Sequence, residues 1–473
     1  MPDFRREALC YDPLHGYMPL VSNEGLAVGE VSERQIIDHP WLQRLRQIHQ
    51  LQTAWWVFPS AEHTRFQHVL GVMHLASRAT AALYDSLRAT CPDVPSRGYV
   101  ECLLRLAGLL HDVGHGPFGH FFDEHFLSTY GLTHETLGSV IIERELGDLI
   151  RRIRRNPNGT LEPGETLDPA QISLLITRPK GGAASKSNSS SSPPPRWLSF
   201  LRSLFSGIYT VDNMDFVLRD AYMSGYNTRA YDLERLLRYS FFSEAGLTIH
   251  VRGLDALLRF ISVRAELFRS IYFHRTVRAI DLELKDLFTF SRPWLFPGNP
   301  LEKLNEYLHF TEWTLLVDAP RWQHSADPAQ REAGQRWQDF LNRRVRWKMI
   351  CQRTLVYRPG DAEQSSIFSN AQFVEQAIRT ALPPAAREIQ LRVDLARHVH
   401  RPETHGPAAG QNFLFDPALG QPRPLDDDLL YRNLPVAHRI CRIYAEHQQF
   451  ASEITAALDG LIGPGGSDDL TNM

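Results

Sequence analysis

Residues 102–116, CLLRLAGLLHDVGHG, contain the features that decide the fold. Residues 102–110 are apolar except for Arg105, which predicts a helix that is buried on every side. A polar cluster that begins with His111 and Asp112 follows directly at the end of this helix. Because burying polar groups costs free energy unless they find partners, this cluster indicates a site with a chemical purpose.

The segments around this stretch predict a mainly α fold. Apolar residues recur at spacings of three and four in 31–51 and in 66–87, which predicts successive helices from 31 to 150. Helical periodicity returns over 197–226 and again from Leu254 to about Phe290, as one long amphipathic helix or a pair. Between these two segments, Leu247, Ile249 and Val251 alternate after the turn at 244–246, which predicts a small β-hairpin.

The chain divides into four predicted segments: an N-terminal segment (1–30), a helical core (31–290), a C-terminal lobe (291–460) and a flexible tail (461–473). The core is interrupted at 180–196, where KGGAASKSNSSSSPPP is too polar to offset its ordering entropy, so a flexible insertion is expected. The C-terminal lobe should be mixed α/β. Short strands are predicted near TLVYRP (354–359) and NFLFDP (412–417), with a helix over 437–458.

Composition excludes several classes of protein. The 473 residues are 43% hydrophobic and 22% charged, with a net charge of -3, so there is no global attraction to nucleic acid or membrane. The 5 cysteines are scattered and form no CxxC pair, which argues against a disulfide framework or a thiolate zinc site. The sequence contains no signal-like N-terminus and no apolar run of about 18 residues, so we expect a soluble, cytoplasmic protein without a membrane partner.

A divalent metal site is the main chemical prediction. A His-Asp pair alone is weak evidence, because a chain with 20 histidines should contain roughly one by chance. Further potential ligands lie on helices expected to pack against the central helix, namely His68 in HTRFQHVLGV and Asp212 in YTVDNMDFVLRD. Imidazole and carboxylate together suit Mn, Fe, Mg or Zn, so we predict one or two divalent ions held by His68, His111, Asp112 and Asp212. His111 taken alone would more simply be a hydrogen-bonded core histidine.

A set of motifs, in order over about residues 9–285, resembles the HD-domain deoxynucleoside triphosphate triphosphohydrolases. The motifs are YDPLHGY, IIDHPWLQRLRQIHQL, FPSAEHTRFQHVLGVMHLA, LAGLLHDVGHGPFGHFFDEHF, LTHETLGS and VDNMDFVLRD. The resemblance implies an HD-domain helical core with a metal on the four residues predicted above. The implied reaction is dNTP plus water to deoxynucleoside plus triphosphate.

The resemblance also assigns residues to steps of that reaction. Catalytic positions are His115, His120, His134 and Glu135. Substrate positions are Gln50, Leu51, Arg65, Asp220, Arg264 and Tyr272. A protonated His120, oriented by a carboxylate, would donate to the departing 5′ oxygen, and Tyr272 under C2′ would exclude a ribose hydroxyl. The simpler alternatives are a helix-start pair at 134–135, solvated arginines at 65 and 264, and a core aromatic at 272.

Regulation is implied by Asp38, Gln43 and Arg46, which match an activating guanine-nucleotide site of the family. An activating nucleotide and a homo-oligomer, dimer or tetramer, would follow. In QIIDHPWLQRLR the same residues can instead serve as a helix cap and an exposed face. Tyr11 stands where family members have Asn, which does not fit the activator site.

Three positions depart from the family pattern. Asn213 and Phe216 replace a basic residue and a tyrosine that contact phosphate, and Gln52 replaces a glycine after the Gln-Leu pair. Trp55 and Trp56 follow closely. The nucleoside end of the pocket is therefore expected to be reshaped.

Two alternative functions stay open on sequence grounds. One is an HD nuclease or phosphodiesterase that acts on single-stranded nucleic acid or a cyclic nucleotide. The basic runs that would help it bind a polymer are Arg151, Arg152, Arg154 and Arg155, and Arg343, Arg344, Arg346 and Lys348. The other is a non-catalytic, nucleotide-sensing assembly protein.

Overall fold

The computed structural model describes residues 7–177, 193–357, 367–399, 412–435 and 437–462. Most of the predicted insertion at 180–196 and most of the predicted tail lie outside these ranges. At their edges the structure is already helical, since Arg196 begins one helix and Ile462 ends another. The flexibility of both segments stays a prediction.

A hairpin and a helical core make up the first two thirds of the chain. The hairpin consists of β1 Glu7–Asp12 and β2 Gly16–Val21. The core helices are α1 Glu33–Ile37, α2 Pro40–Gln43, α3 Arg65–Thr90, α4 Arg97–Leu110, α5 His120–His125, α6 His134–Arg144, α7 Gly147–Arg151, α8 Pro169–Ile176, α9 Arg196–Leu201, α10 Val211–Met223, α11 Leu233–Arg238, α12 Leu254–Leu267 and α13 Arg275–Leu295. The core strands are β3 Arg155–Asn156, β4 Gly159–Thr160, β5 Ser240–Ser243 and β6 Gly246–His250. The prediction of a mainly α core with a small β-hairpin is confirmed.

Helix α4 lies at the centre of the core, and it is buried from Gly98 to Leu110 as its apolar sequence predicts. Helix α3 packs closely against it, because Gly108 has no side chain. A Cβ there would lie 3.0 Å from the backbone of Val72. Helix α10 also packs against α3, at Gly71, where a Cβ would overlap the carboxylate of Asp215 on α10. These close approaches bring the ends of three helices together.

The C-terminal lobe is mixed α/β, as predicted. Its elements are α14 Leu304–His309, α15 Glu312–Arg321, α16 Pro328–Leu341, β7 Lys348–Tyr357, α17 Ala371–Ala381, β8 Leu391–Val399, β9 Phe413–Phe415, β10 Pro422–Pro424, α18 Leu429–Arg432, β11 Ala437–Ala445 and α19 Ala451–Ile462. Strands β7, β11 and β8 form an antiparallel sheet in that order. The sheet packs with α17 and α19 around an apolar core of its own.

The helix predicted over 437–458 is wrong in its first half. Residues 437–445 form β11, the central strand of the C-terminal sheet, and the helix begins only at Ala451. Every residue of β11 is buried, including Arg439 and Arg442. A strand that is buried on both faces lacks a clear period-two alternation, so its pattern resembles that of a buried helix.

The two parts of the chain share a second sheet. Strand β9 pairs in parallel with β6 of the predicted hairpin, and β10 extends the sheet to the order β10-β9-β6-β5. Val251 belongs to the short 3₁₀ turn that follows β6, not to the strand. The long helix predicted from Leu254 is a pair, α12 and α13, separated by a π-helical turn over Phe268–Tyr272. Within the described ranges no helix has the length and apolarity needed to span a membrane.

Candidate metal centre and active-site cavity

The four predicted metal ligands meet where α3, α4 and α10 converge. His68 lies in the first turn of α3, His111 and Asp112 directly follow α4, and Asp212 lies in the first turn of α10. The Nε2 atom of His68 is 3.1 Å from Asp212 Oδ1, and the Nε2 atom of His111 is 3.7 Å from the same oxygen. Asp112 Oδ1 lies 3.4 Å from His111 Nε2. The structure thus gathers His68, His111, Asp112 and Asp212 from three separated stretches into one group, which we call the metal cluster.

Both imidazoles are oriented by contacts on the ring side away from the cluster. His111 Nδ1 donates to the carbonyl oxygen of Gly108 at 2.8 Å, so Nε2 faces the cluster. This buried Nε2 atom has no hydrogen-bond partner among the residues that the structure describes. His68 Nδ1 contacts Asp215 Oδ2 at 2.8 Å, which leaves its Nε2 atom for the cluster. Metal-binding histidines are typically held in this way.

The electrostatics of the cluster favour a cation. Burial disfavours charge on His68, but the carboxylates of Asp212 and Asp215 outweigh burial and raise the pKa of His68 to about 10. Burial also opposes ionisation of Asp112, yet His111 and Arg65 hold its pKa well below the usual range. Two carboxylates and two imidazoles therefore share a buried space that attracts positive charge.

A divalent ion fits this donor set. The ligand atoms of His68, His111 and Asp112 lie within 4.8 Å of one another. Atoms that each sit about 2.0–2.2 Å from one ion are at most about 4.4 Å apart, so a small movement of these side chains would suffice to bind an ion. The orphaned Nε2 atom of His111 is also explained, because an ion would provide the partner that it lacks. The described residues thus form a His/Asp cluster that could hold a divalent metal.

A buried ionic network supports the cluster from the N-terminal hairpin. Asp215 Oδ1 is 2.7 Å from the Nε2 atom of His15 and accepts from Arg219 at 2.9 Å. Arg219 also donates to Asp12 Oδ2 at 2.8 Å. Asp12 and His15 flank the hairpin turn, whose backbone N–H groups bond to Asp12 Oδ1. The YDPLHGY motif therefore reaches the back of the metal cluster through Asp215, a contact that sequence reasoning did not predict.

A second histidine group lies next to the metal cluster and surrounds Asp123. The Oδ2 atom of Asp123 is 2.5 Å from Nδ1 of His134, 3.3 Å from Nδ1 of His120 and 3.6 Å from Nδ1 of His115. His115 is fully buried behind the cavity wall, and its ring stacks on His134 at 3.7 Å. Burial and the nearby His115 lower the pKa of His134. Asp123 was not among the predicted residues, although its position three after His120 on a helix was a usable signal.

One cavity of about 710 Å³ connects most of the predicted site residues. From the predicted set it is lined by Gln50, Leu51, Arg65, His68, His111, Asp112, His120, His134, Glu135, Asp212, Asp220, Arg264 and Tyr272. The cavity is also lined by the three residues that depart from the family pattern, Gln52, Asn213 and Phe216. His398 and Val399 of β8 complete part of the wall, so the C-terminal lobe contributes to the cavity.

The predicted sugar and phosphate residues are held in place by protein contacts. Tyr272 donates its hydroxyl to the carboxylate of Asp220, which also contacts Nε2 of His63 at 2.8 Å. Arg65 donates to Asp112 at 2.5 Å. Arg264 is buried and donates to the carbonyl oxygen of Ile208 at 3.1 Å.

The predicted activator residues lie away from this cavity. Asp38 is exposed and pairs with Arg34 at 3.4 Å. Arg46 donates to Gln43 at 2.8 Å and stacks on the ring of Phe66. The role of these residues in regulation stays a prediction.

The chain is similar to proteins that contain an HD domain. Residues 65–175 match the model of the HD domain family. The deoxynucleoside triphosphate triphosphohydrolase SAMHD1 of Gallus gallus is 31% identical over 290 residues, which cover 59% of this chain and 44% of that protein. An uncharacterized protein of Bacillus subtilis is 27% identical over 355 residues, covering 72% of this chain and 71% of that protein. The chain thus spans less than half the length of the Gallus enzyme.

A solved structure supports the fold over nearly the whole chain. A hypothetical protein from Aquifex aeolicus superposes with a TM-score of 0.66 at 22% identity, covering 96% of this chain and 100% of that one. The family match and the sequence similarity together confirm the resemblance predicted from the motifs. Residues 65–175 of this chain thus match the HD domain family, and the chain is similar to a deoxynucleoside triphosphate triphosphohydrolase.

Proposed function

We propose that the protein is a metal-dependent dNTP triphosphohydrolase, which converts a dNTP and water into a deoxynucleoside and triphosphate. One observation carries this proposal. The cluster of His68, His111, Asp112 and Asp212 opens onto a cavity of about 710 Å³, which is large enough for a nucleotide. A divalent ion on these four residues would polarise a phosphoryl oxygen and lower the pKa of bound water.

Arginine side chains in the cavity wall supply positive charge for the triphosphate. Arg264 is buried and makes no ion pair with a carboxylate among the described residues, so its remaining N–H groups can donate to phosphate oxygens. Arg65 pairs with Asp112 and therefore lies at the metal end of the cavity. These two cations would partly replace the phosphate contacts that Asn213 and Phe216 do not provide.

The histidine group around Asp123 suits proton donation to the leaving group. His120 lines the cavity, and 68% of its side chain is exposed. Its Nδ1 atom faces Asp123, which orients the ring and leaves Nε2 to carry the proton for the departing 5′ oxygen. His134 is held by the same carboxylate, and its lowered pKa favours the neutral form at neutral pH.

The sugar end of the cavity favours deoxyribose. The hydrogen bond from Tyr272 to Asp220 anchors the Tyr272 ring in the cavity wall, where it would leave little room for an extra hydroxyl. Gln50 and Leu51 line the same cavity. We expect rejection of ribonucleotides to depend on Tyr272.

The nuclease alternative has less support. Several side chains of the two basic runs are engaged within the protein. Arg155 pairs with Glu30 at 2.5 Å, and Arg346 pairs with Glu283 at 3.0 Å. Arg343 donates to the carbonyl oxygen of Trp56 at 2.6 Å. Charges that are already paired contribute little to counterion release on a polymer.

Product analysis tests the proposal directly. Purified protein is incubated with each dNTP and Mn or Mg, and the products are separated by anion-exchange chromatography. Deoxynucleoside and intact triphosphate are expected in equal amounts, and the matching ribonucleotides serve as controls. Release of only orthophosphate or pyrophosphate would contradict the proposal, and so would unchanged activity in His111→Ala.

A further inference from the structure

Beyond the sugar residues, the cavity wall continues into a polar group that the proposed reaction does not use. Gln52 directly follows Leu51, and Arg278 and Asp281 lie on α13 shortly after Tyr272. All three of Gln52, Arg278 and Asp281 line the cavity. If the sugar lies at Leu51 and Tyr272, the base would meet these three side chains. Any role of these three side chains in binding the base therefore rests on the proposed function.

The carboxylate of Asp281 holds the other two side chains next to each other. Its Oδ1 atom accepts from Nε2 of Gln52 at 3.0 Å and from the hydroxyl of Thr53 at 2.5 Å. Its Oδ2 atom accepts from Nη1 of Arg278 at 3.2 Å. With three donors on it, Asp281 serves to position its neighbours.

The amide of Gln52 has a defined orientation. Its nitrogen is bound to Asp281, so its oxygen is left as a hydrogen-bond acceptor. The backbone of Gln52 has φ of 49°, a left-handed conformation that is unfavourable for a residue with a side chain. A strained residue whose side chain is fixed in a cavity wall is a candidate for a specific role there.

The guanidinium of Arg278 keeps two N–H groups for a ligand. Nε and Nη2 donate to Asp394 of β8, and Nη1 donates to Asp281. A guanidinium has five N–H groups, so one hydrogen on each terminal nitrogen stays available. With 28% of its side chain exposed, Arg278 can reach a ligand in the cavity.

We propose that this group selects guanine and cytosine over adenine and thymine. Arg278 offers two adjacent N–H donors, and the side-chain oxygen of Gln52 beside it is an acceptor. The matching edge of a base has two adjacent acceptors followed by a donor. Guanine has this order in N7, O6 and N1–H, and cytosine has it in O2, N3 and the 4-amino group. Adenine and thymine place their donor between two acceptors, so Arg278 would face a donor and Gln52 an acceptor.

The test compares kcat/KM for the four dNTPs in competition. A mismatched bidentate contact of this kind discriminates by about 5–150-fold, so dGTP and dCTP should be used at least about fivefold better than dATP and dTTP. 7-Deaza-dGTP, which has carbon in place of N7, should lose most of the advantage of dGTP.

Two substitutions localise the effect. Arg278→Lys retains a cation between Asp281 and Asp394 but lacks the paired donors, and Gln52→Gly removes the acceptor while relieving the backbone strain. Each should reduce the preference to below about threefold. Arg346→Lys is the matched control, because Arg346 pairs with Glu283 of the same helix α13 and does not line the cavity.

The outcomes separate this inference from the proposed function. Equal use of the four dNTPs, a preference for dATP or dTTP, or a preference that survives both substitutions would overturn the inference alone. If no dNTP is hydrolysed to triphosphate, the proposed function fails and the inference fails with it.

Discussion

Two clusters of histidine and carboxylate lie side by side in this protein, and they differ in charge. The metal cluster combines His68 and His111 with two carboxylates, whereas the neighbouring group places three histidines around Asp123. His115 also reaches Asp112 of the metal cluster, at 3.4 Å. In the first cluster, Asp212 together with Asp215 behind it raises the pKa of His68 to about 10, against burial. In the second, burial and His115 lower the pKa of His134.

The balance of carboxylates and imidazoles therefore differs between two clusters whose ligand atoms are equally close together. A cluster with matched carboxylates attracts a cation, and the outer contacts to Gly108 and Asp215 direct both ring nitrogens of the metal cluster inward. The Asp123 group has equally close ligand atoms, but its carboxylate is shared by three rings, so imidazoles outnumber carboxylates there. Because imidazole titrates near neutral pH, this excess suits the group to holding and releasing a proton.

The largest predicted effect separates the two clusters by metal content. His111→Ala and Asp212→Ala should each lower kcat by on the order of 10⁴-fold or more, because a bound metal contributes several kcal/mol to charge stabilisation. Both variants should also lose bound metal, measured by elemental analysis of the purified protein. Asp148→Ala is the control, since that carboxylate is fully exposed and does not line the cavity. Full metal content in both variants would show that the ion is held elsewhere.

The second predicted effect is on the histidine group alone. His120→Ala should lower kcat by about 10²–10³-fold, the usual contribution of a positioned general acid. Metal content should stay at the wild-type level. His125→Ala provides a matched control, because His125 lies on the same helix α5 but does not line the cavity. A loss of metal in His120→Ala would assign this histidine to the metal centre.

The sequence predicted the metal cluster better than its surroundings for a physical reason. Helical periodicity shows which residues share a buried face, and His68, His111 and Asp212 lie near the ends of strongly periodic helices. Asp12 and His15 reach the cluster only because a hairpin folds back over a distance of 200 positions in the chain. Local patterns carry no information about such a contact.

The C-terminal lobe was predicted least well, and this affects the cavity. The pattern of 437–445 predicts a helix, although these residues form a strand buried between two others. Because β8 is placed by that strand, sequence reasoning did not find that Asp394 holds Arg278 or that His398 lines the cavity. The cavity wall around Arg278 depends on strand pairing between distant segments, whereas the wall around His68 and His111 depends mainly on helix packing.

A smaller effect is predicted for the contact from the N-terminal hairpin. Asp215→Asn should weaken metal affinity by about 10–100-fold, the usual effect of removing an outer partner of a metal ligand. His15→Gln should weaken it less, because Arg219 still holds Asp215. The measurement is activity against metal concentration. Saturating metal should restore most of the activity to His15→Gln, and if it does not, the hairpin acts through something other than metal affinity.

The smallest predicted effect is a pH dependence of stability behind the metal cluster. Burial, followed by the charges of His15, Arg78 and Arg105, lowers the pKa of His74 to about 4. Below pH of about 6.5 the unfolded chain binds a proton at this position that the folded chain does not bind until about pH 4. The titration of His74 therefore costs the folded protein no stability above pH 6.5, and it costs more as the pH falls towards 4.

His74→Gln cannot titrate, so its stability relative to the wild type should increase on acidification. Between pH 7 and pH 5 the difference in the free energy of unfolding should shift in favour of the variant by about 1 kcal/mol, about half of the full linkage, since solvent screens the partly exposed ring. Denaturant titrations of both proteins at the two pH values measure this shift. Subtracting one free energy of unfolding from the other cancels the effect of the other histidines, because both proteins contain them. A constant difference would mean that the folded protein accommodates a charged His74, and that the hairpin leaves room for water beside it.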